Sequence, residues 1–196
     1  MFTVERKKDA RIVRAFVHKV ADIPNGVTVS TADLPAGSKL LEGTVVGRDN
    51  TTGVFHVVKT ATLAAAAAND AVTYTVKKGH LFKVGDYVCL KTGAAAYAIT
   101  GISTNATDNT CDDITVGTTL GRAAAKGDAL IHSGRTGTTN SALPYGKPYA
   151  VLGDSFDVKA NSNIFSEAWL IGVIKEAVAP VASDEVKAAV PGVVFI

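Results

Sequence analysis

The chain has 196 residues, 19% of them charged, with a formal net charge of +2 and a mean hydropathy of +0.21. That is too apolar for a disordered chain and lacks the strong basic excess of a general polyanion binder. The length suits one large domain or two small ones, long enough to fold without a disulfide or a metal.

Valine outnumbers leucine 25 to 11, and there are 21 threonines and 18 glycines. β-Branched side chains favour strands because their stiff χ1 suits a pleated surface, and glycines supply tight turns. A mainly β fold with one or two short helices is expected.

The N-terminal stretch is the one basic region. Arg6, Lys7, Lys8, Arg11, Arg14 and Lys19 stand against Glu5 and Asp9, a local excess of four positive charges. It reads as a solvated strand or arm, or as an arm that lies on an acidic partner surface. Met1–Asp9 lacks an apolar core, so no signal peptide is expected. No apolar run is long enough to span a bilayer. A cytosolic product of a reducing compartment is expected.

Arg11–Ala21 fits both a helix and a strand, and its β-branched content favours the strand. Ile23-Pro24-Asn25-Gly26 is a turn, and Val27–Thr31 a short strand. Lys39–Arg48 and Val54–Thr60 read as a hairpin around Asp49–Gly53. The alanine-rich Ala64–Asp70 reads as one helical turn or a linker at a boundary. Strands are expected at Val72–Lys77, Tyr87–Lys91, Tyr97–Ser103, Ile114–Val116 and Ala129–His132. Gly85-Asp86 and Gly127-Asp128 turns bracket this unit. Short strands at this spacing suggest a small closed barrel, because closure removes exposed edges.

Ser133–Ala142 reads as an exposed loop. Tyr149–Leu152, Phe156–Lys159 and the apolar Ala168–Glu176 read as strands. Ser183 is placed to cap a short helix, Asp184–Val190, with Asp184 and Glu185 at its positive end. Val193–Ile196 reads as a last strand. KLLEGTVV and AWLIGVIK share period and glycine placement and flank the barrel unit. Residues 1–62 and 137–196 are therefore expected to form one β domain, with residues 63–136 a barrel inserted into it.

No constellation for catalysis is found, and an enzyme is not expected. His18, His56, His80 and His132 lie on separate segments without metal-ligand spacing. There is no GxSxG elbow and no phosphate-binding glycine loop. Cys89 and Cys111, without CxxC spacing, allow one disulfide but support no metal site, and a buried free thiol is the default for Cys89. Asp112-Asp113 is the one carboxylate pair placed to take a cation. No cofactor or metal is expected. Nucleic acid and membrane are not expected as partners.

Five passages carry a resemblance: Glu5–Val20 (ERKKDARIVRAFVHKV), Leu34–Asp49 (LPAGSKLLEGTVVGRD), Lys78–Val88 (KGHLFKVGDYV), Asp112–Gly121 (DDITVGTTLG) and Ala168–Ala177 (AWLIGVIKEA). In these the chain resembles head-fibre or head-decoration proteins of phages and prophages of Bacteroides-type bacteria. The resemblance implies a non-catalytic structural protein of the virion, made in the host cytoplasm and attached outside the capsid. It would bind the major capsid protein, as a homotrimer. Arg6, Lys7, Lys8, Arg11 and Arg14 are then the candidate capsid contacts. No heptad stalk or fibre shaft is present, which favours decoration over fibre. The competing reading is a glycan-binding or adhesive β module. Its mark would be an exposed aromatic platform, for which Tyr97, Tyr145, Tyr149 and Trp169 are the candidates, with Trp169 expected in the core.

Overall fold

The computed structural model describes residues 14–160 and 162–196. Strand makes up 41% of the structure and helix 3%, so the fold is mainly β. In chain order the strands are β1 (Phe16–Asp22), β2 (Val27–Val29), β3 (Lys39–Leu40), β4 (Val45–Arg48), β5 (Phe55–Val57), β6 (Thr60–Thr62), β7 (Thr73–Lys77) and β8 (Tyr87–Cys89). They continue as β9 (Tyr97–Thr104), β10 (Cys111–Val116), β11 (Ala129–His132), β12 (Gly146–Leu152), β13 (Phe156–Asp157), β14 (Ile164–Ser166) and β15 (Ala168–Ile174). Helix α1 (Asp184–Ala189) precedes the last strand, β16 (Val193–Phe195).

Two large sheets hold most of these strands. The first is eight-stranded, in the order β1-β15-β12-β4-β5-β2-β14, with β16 parallel to β15. Within it β2 pairs antiparallel with β14 on one side and parallel with β5 on the other. The second is six-stranded, in the order β6-β11-β8-β9-β10-β7. It curls, and a bridge joins Leu63, just after β6, to Val76 of its last strand, β7. β3 and β13 form a separate pair.

Alternation along the strands divides the apolar side chains among three cores, because successive residues face opposite sides of a sheet. Tyr74, Val76, Val88, Ile99, Ile114 and Leu130 fill the six-stranded sheet. Val29, Val46, Val57, Leu152 and Ala168 fill the eight-stranded one. The third core lies where the sheets and α1 meet: Cys89 and Ile131 pack with Val151, Ile174, Val186 and Val190.

Several expectations change in detail. Lys39–Arg48 is two strands, because the backbone turns at Leu41–Thr44. Gly43 sits at φ +91° there, a conformation side chains disfavour, and Glu42 is pulled inward. Val54–Thr60 is also two strands. The chain leaves the eight-stranded sheet at Val57, crosses at Val58–Lys59, and enters the six-stranded sheet as β6. Ala64–Asp70 is neither helix nor spacer: the Ala67–Ala124 bridge ties it to the six-stranded sheet region. Ser133–Ala142 is exposed at its tip, but Ser133 and Ser141 are buried, and the Ser141 hydroxyl donates to the Lys91 carbonyl at 2.9 Å. β14 had no signal in the sequence. The helix is as expected, and its Val186 N–H donates to Ser183 Oγ at 3.4 Å.

Candidate functional site

Of the candidate contacts, Arg6, Lys7, Lys8 and Arg11 lie outside the described residues. Arg14 is described, just ahead of β1. Its Nη1 lies 3.2 Å from Asp154 Oδ1 and 3.9 Å from Glu42 Oε1. Both Arg14 and Asp154 are largely exposed, so that pair contributes little stability. Glu42 is buried, and its Oε2 accepts the Ala15 N–H at 2.9 Å. The Glu42 N–H donates in turn to Ser155 Oγ at 2.8 Å. The basic segment therefore enters the fold through a carboxylate anchored between β3 and β4.

Glu42→Ala removes the acceptor of the Ala15 N–H and should cost about 1–3 kcal/mol. It should also raise amide exchange over Ala15–Lys19 selectively. Unchanged protection there would show that β1 is held by its pairing with β15 alone.

Beyond this anchor, Lys19 Nζ donates to the Gly153 carbonyl at 3.1 Å and lies 5.1 Å above the Trp169 ring. Trp169 is half-buried and packs on Phe16 at 6.2 Å between centroids. It is thus core-side, as expected, and not a platform. Tyr97, Tyr145 and Tyr149 are also half-buried. The Tyr149 hydroxyl donates to the carbonyls of Pro144 and Tyr145. The most exposed large apolar side chain among the described residues is Phe165 on β14, at 68%.

Five of the eight exposed aliphatic side chains among the described residues lie on one ribbon. Val17 and Val20 of β1, Ile171 of β15, Val194 of β16 and Ile196 just beyond it are all exposed. Their strands are neighbours in the order β1-β15-β16. Among the described residues β1 pairs on one side only, with β15. An apolar strip at a free edge is a surface suited to a partner.

A buried polar network between the two sheets has no signature in the sequence. Lys59, in the crossover, is 1% exposed. Its Nζ donates to Asp86 Oδ2 at 2.6 Å and to the Asp33 carbonyl at 2.7 Å. Burial lowers the Lys59 pKa from its ordinary value, against the opposing pull of Asp86. His56 Nδ1 stands 3.0 Å from Asp33 Oδ2, and the Tyr145 hydroxyl donates to the same oxygen at 3.2 Å. Burial acts to raise the Asp33 pKa, but the His56 and Tyr145 contacts and the Lys59 charge outweigh it and hold it below the usual value. Tyr145 stacks on His56 at 4.6 Å and meets His132 edge-on at 6.1 Å. His132 is buried, and its Nδ1 has no hydrogen-bond partner among the described residues. Burial, then the Lys59 charge, push its pKa down to about 4, so the ring is neutral near pH 7.

This network holds acid and base groups but no nucleophile placed against a base. Its central amine is closed off from solvent and committed to Asp86. It fits a clamp that fixes one sheet against the other.

Asp112 and Asp113 do not converge. As neighbours on β10 they face opposite sides of the sheet. Asp112 Oδ2 lies 3.5 Å from His80 Nε2. Asp113 Oδ1 accepts from Thr75 Oγ1 at 2.7 Å and from Asn105 Nδ2 at 3.0 Å. Cys89 and Cys111 are free and buried. Burial raises the Cys89 pKa to about 11, which keeps it an unreactive thiol. His18 is exposed on β1, and His56 is half-buried on β5. No helix among the described residues is long and apolar enough to cross a membrane. Comparison with protein-family models, curated proteins and solved structures finds no match to this chain.

Proposed function

We propose that the chain is a structural virion protein that decorates the outside of a phage capsid, stabilising the shell or displaying a surface. The observation that carries this reading is the exposed aliphatic ribbon of β1, β15 and β16. It lies beside the point where the basic N-terminal segment joins the fold. A polypeptide partner with an acidic surface would meet both features, the apolar strip by burial and the basic segment by attraction. The five passages of resemblance support the same reading, as does a polar network suited to rigidity.

On this reading the major capsid protein is the partner, attachment involves Arg6, Lys7, Lys8, Arg11 and Arg14, and the protein works as a homotrimer without nucleic acid or membrane. It is made in the bacterial cytoplasm and ends on the virion exterior. We read the six-stranded sheet as a small closed barrel inserted into a second β domain built on the eight-stranded sheet. A free edge such as β1 is well hidden by a symmetric neighbour.

Sedimentation equilibrium on the purified protein should give a trimer, and Ile171→Asp with Val194→Asp should reduce it to monomer without loss of β signal. A wild-type monomer at high concentration would contradict the trimer. Attachment itself is tested by cosedimentation with the cognate empty heads.

A further inference from the structure

Lys59 and Asp86 are placed as reactants as well as ions. The amine is 1% exposed, and its Nζ lies 2.6 Å from Asp86 Oδ2. It also donates to the Asp33 main-chain carbonyl at 2.7 Å, which fixes its position. The Lys83 N–H donates to the same Asp86 oxygen at 2.7 Å and fixes the carboxyl group. An ammonium enclosed in this way meets no substrate from outside. The carbonyl carbon of its own partner is the electrophile it faces.

His132 stands beside the same pair. β11 and β6 pair Ile131 with Thr60, and the His132 N–H donates to the Lys59 carbonyl at 2.9 Å. His132 and Lys59 are therefore opposite each other, with their side chains on one side of the sheet. The ring is buried, and its Nδ1 has no hydrogen-bond partner among the described residues. The charges of both Lys59 and Asp86 act on it. A neutral imidazole in that place can take a proton from one and return it to the other. The dry surroundings favour losing the charges, because an ion pair kept from water is costly and a neutral amide is less so. Burial also lowers the Lys59 pKa, which brings the neutral amine within reach.

We propose that Lys59 and Asp86 slowly form an intramolecular isopeptide bond, which ties the crossover between the sheets to the turn ahead of β8. One proton passes from the ammonium to Asp86 Oδ1, leaving a neutral amine and a neutral acid. The amine adds to Asp86 Cγ, and the Lys83 N–H supports the negative charge that develops on Oδ2. His132 takes a second proton from the nitrogen and delivers it to Oδ1. The Cγ–Oδ1 bond breaks, one water leaves, and the Nζ–Cγ amide remains. No oxidant or other reactant is needed. The Asp33 carboxylate is engaged by His56 and Tyr145, so His132 alone carries protons and the reaction is slow. Freshly purified protein holds the ion pair, and the cost of breaking that pair refers to this state.

The test is the intact mass of the full-length protein, fresh and after a week at neutral pH and body temperature. The mass should fall by that of one water. Trypsin should then release residues 49–77 joined to residues 84–91, because an acylated Lys59 is no longer cut. Lys59→Met and Asp86→Ala should show no such loss. His132→Leu keeps both reacting groups and should link about a hundredfold more slowly or worse, the usual worth of a positioned acid–base group. An unchanged wild-type mass, a lost water without the joined peptides, or an undiminished rate in His132→Leu would overturn the proposal. The wild-type readout depends on no variant folding and uses no heads, so a failure here is distinct from a failure of the decoration reading.

Discussion

Lys59→Met should lower the unfolding free energy by about 3–5 kcal/mol, the usual cost of breaking a buried ion pair by removing one partner. The residue is fully buried, and its ammonium is the shared donor to Asp86 and to the Asp33 carbonyl. Without it Asp86 keeps the Lys83 N–H, at 2.7 Å, but loses its counter-charge. Methionine fills similar volume, so the loss reports the charge rather than a cavity. Lys59→Met with Asp86→Asn should be closer to wild type than the two single changes summed, since no uncompensated charge is left. Urea unfolding followed by Trp169 fluorescence and by far-ultraviolet circular dichroism measures both effects. Trp169 reports the core where the two sheets meet and circular dichroism reports the strands of both, so separated transitions in Lys59→Met would show that this lysine couples the two sheets. A loss below about 1 kcal/mol would show the pair to be dispensable.

The second large effect is a loss of stability in mild acid, set by His132. Its ring titrates near 6.5 in an unfolded chain and near 4 in the fold. Between those values the unfolded chain takes up a proton that the native state refuses. Stability therefore falls as pH drops from about 6.5 towards about 4, and this group adds no further loss below that. The separation corresponds to about 3 kcal/mol. The charged groups facing the ring are Lys59, which opposes protonation, and Asp86 and Asp33, which favour it. His80, also lowered by burial, acts in the same direction. Asp33, held below its ordinary 3.8, adds a further loss at more acid pH as it is protonated. His132→Leu should flatten the stability profile between pH 6.5 and 4. A wild-type profile already flat over that window would show that the ring is not buried as a neutral base.

Much of the strand pattern was legible because it depends on neighbours in sequence. Val72–Lys77 and Ala129–His132 alternate or run apolar within a few residues, and Ser183 precedes its helix directly. What was not legible depends on residues far along the chain. Lys59 reads as an ordinary solvated lysine in VFHVVKT, and only Asp86, 27 residues on, makes its burial tolerable. The break at Leu41–Thr44 is hidden because KLLEGTVV has the apolar run of one strand. It is the Ala15 N–H, 27 residues away, that holds the Glu42 carboxylate inward, and the Ser155 hydroxyl, 113 residues away, that fixes its backbone N–H. β14 carries three residues between polar neighbours, too few to show a period. The aromatic residues were misjudged for a related reason. Tyr145 and Tyr149 sit in a polar, glycine-bearing stretch, yet Asp33 and local carbonyls draw their hydroxyls inward. Phe165, an apolar side chain with no polar handle, is the most exposed aromatic among the described residues.

The decoration reading stands most directly on cosedimentation of the purified chain with cognate empty heads. It predicts saturable association at a fixed ratio to the major capsid protein, weakened by raised salt and by neutralising Arg6, Lys7, Lys8, Arg11 and Arg14 together. No association with heads at any salt concentration would contradict it.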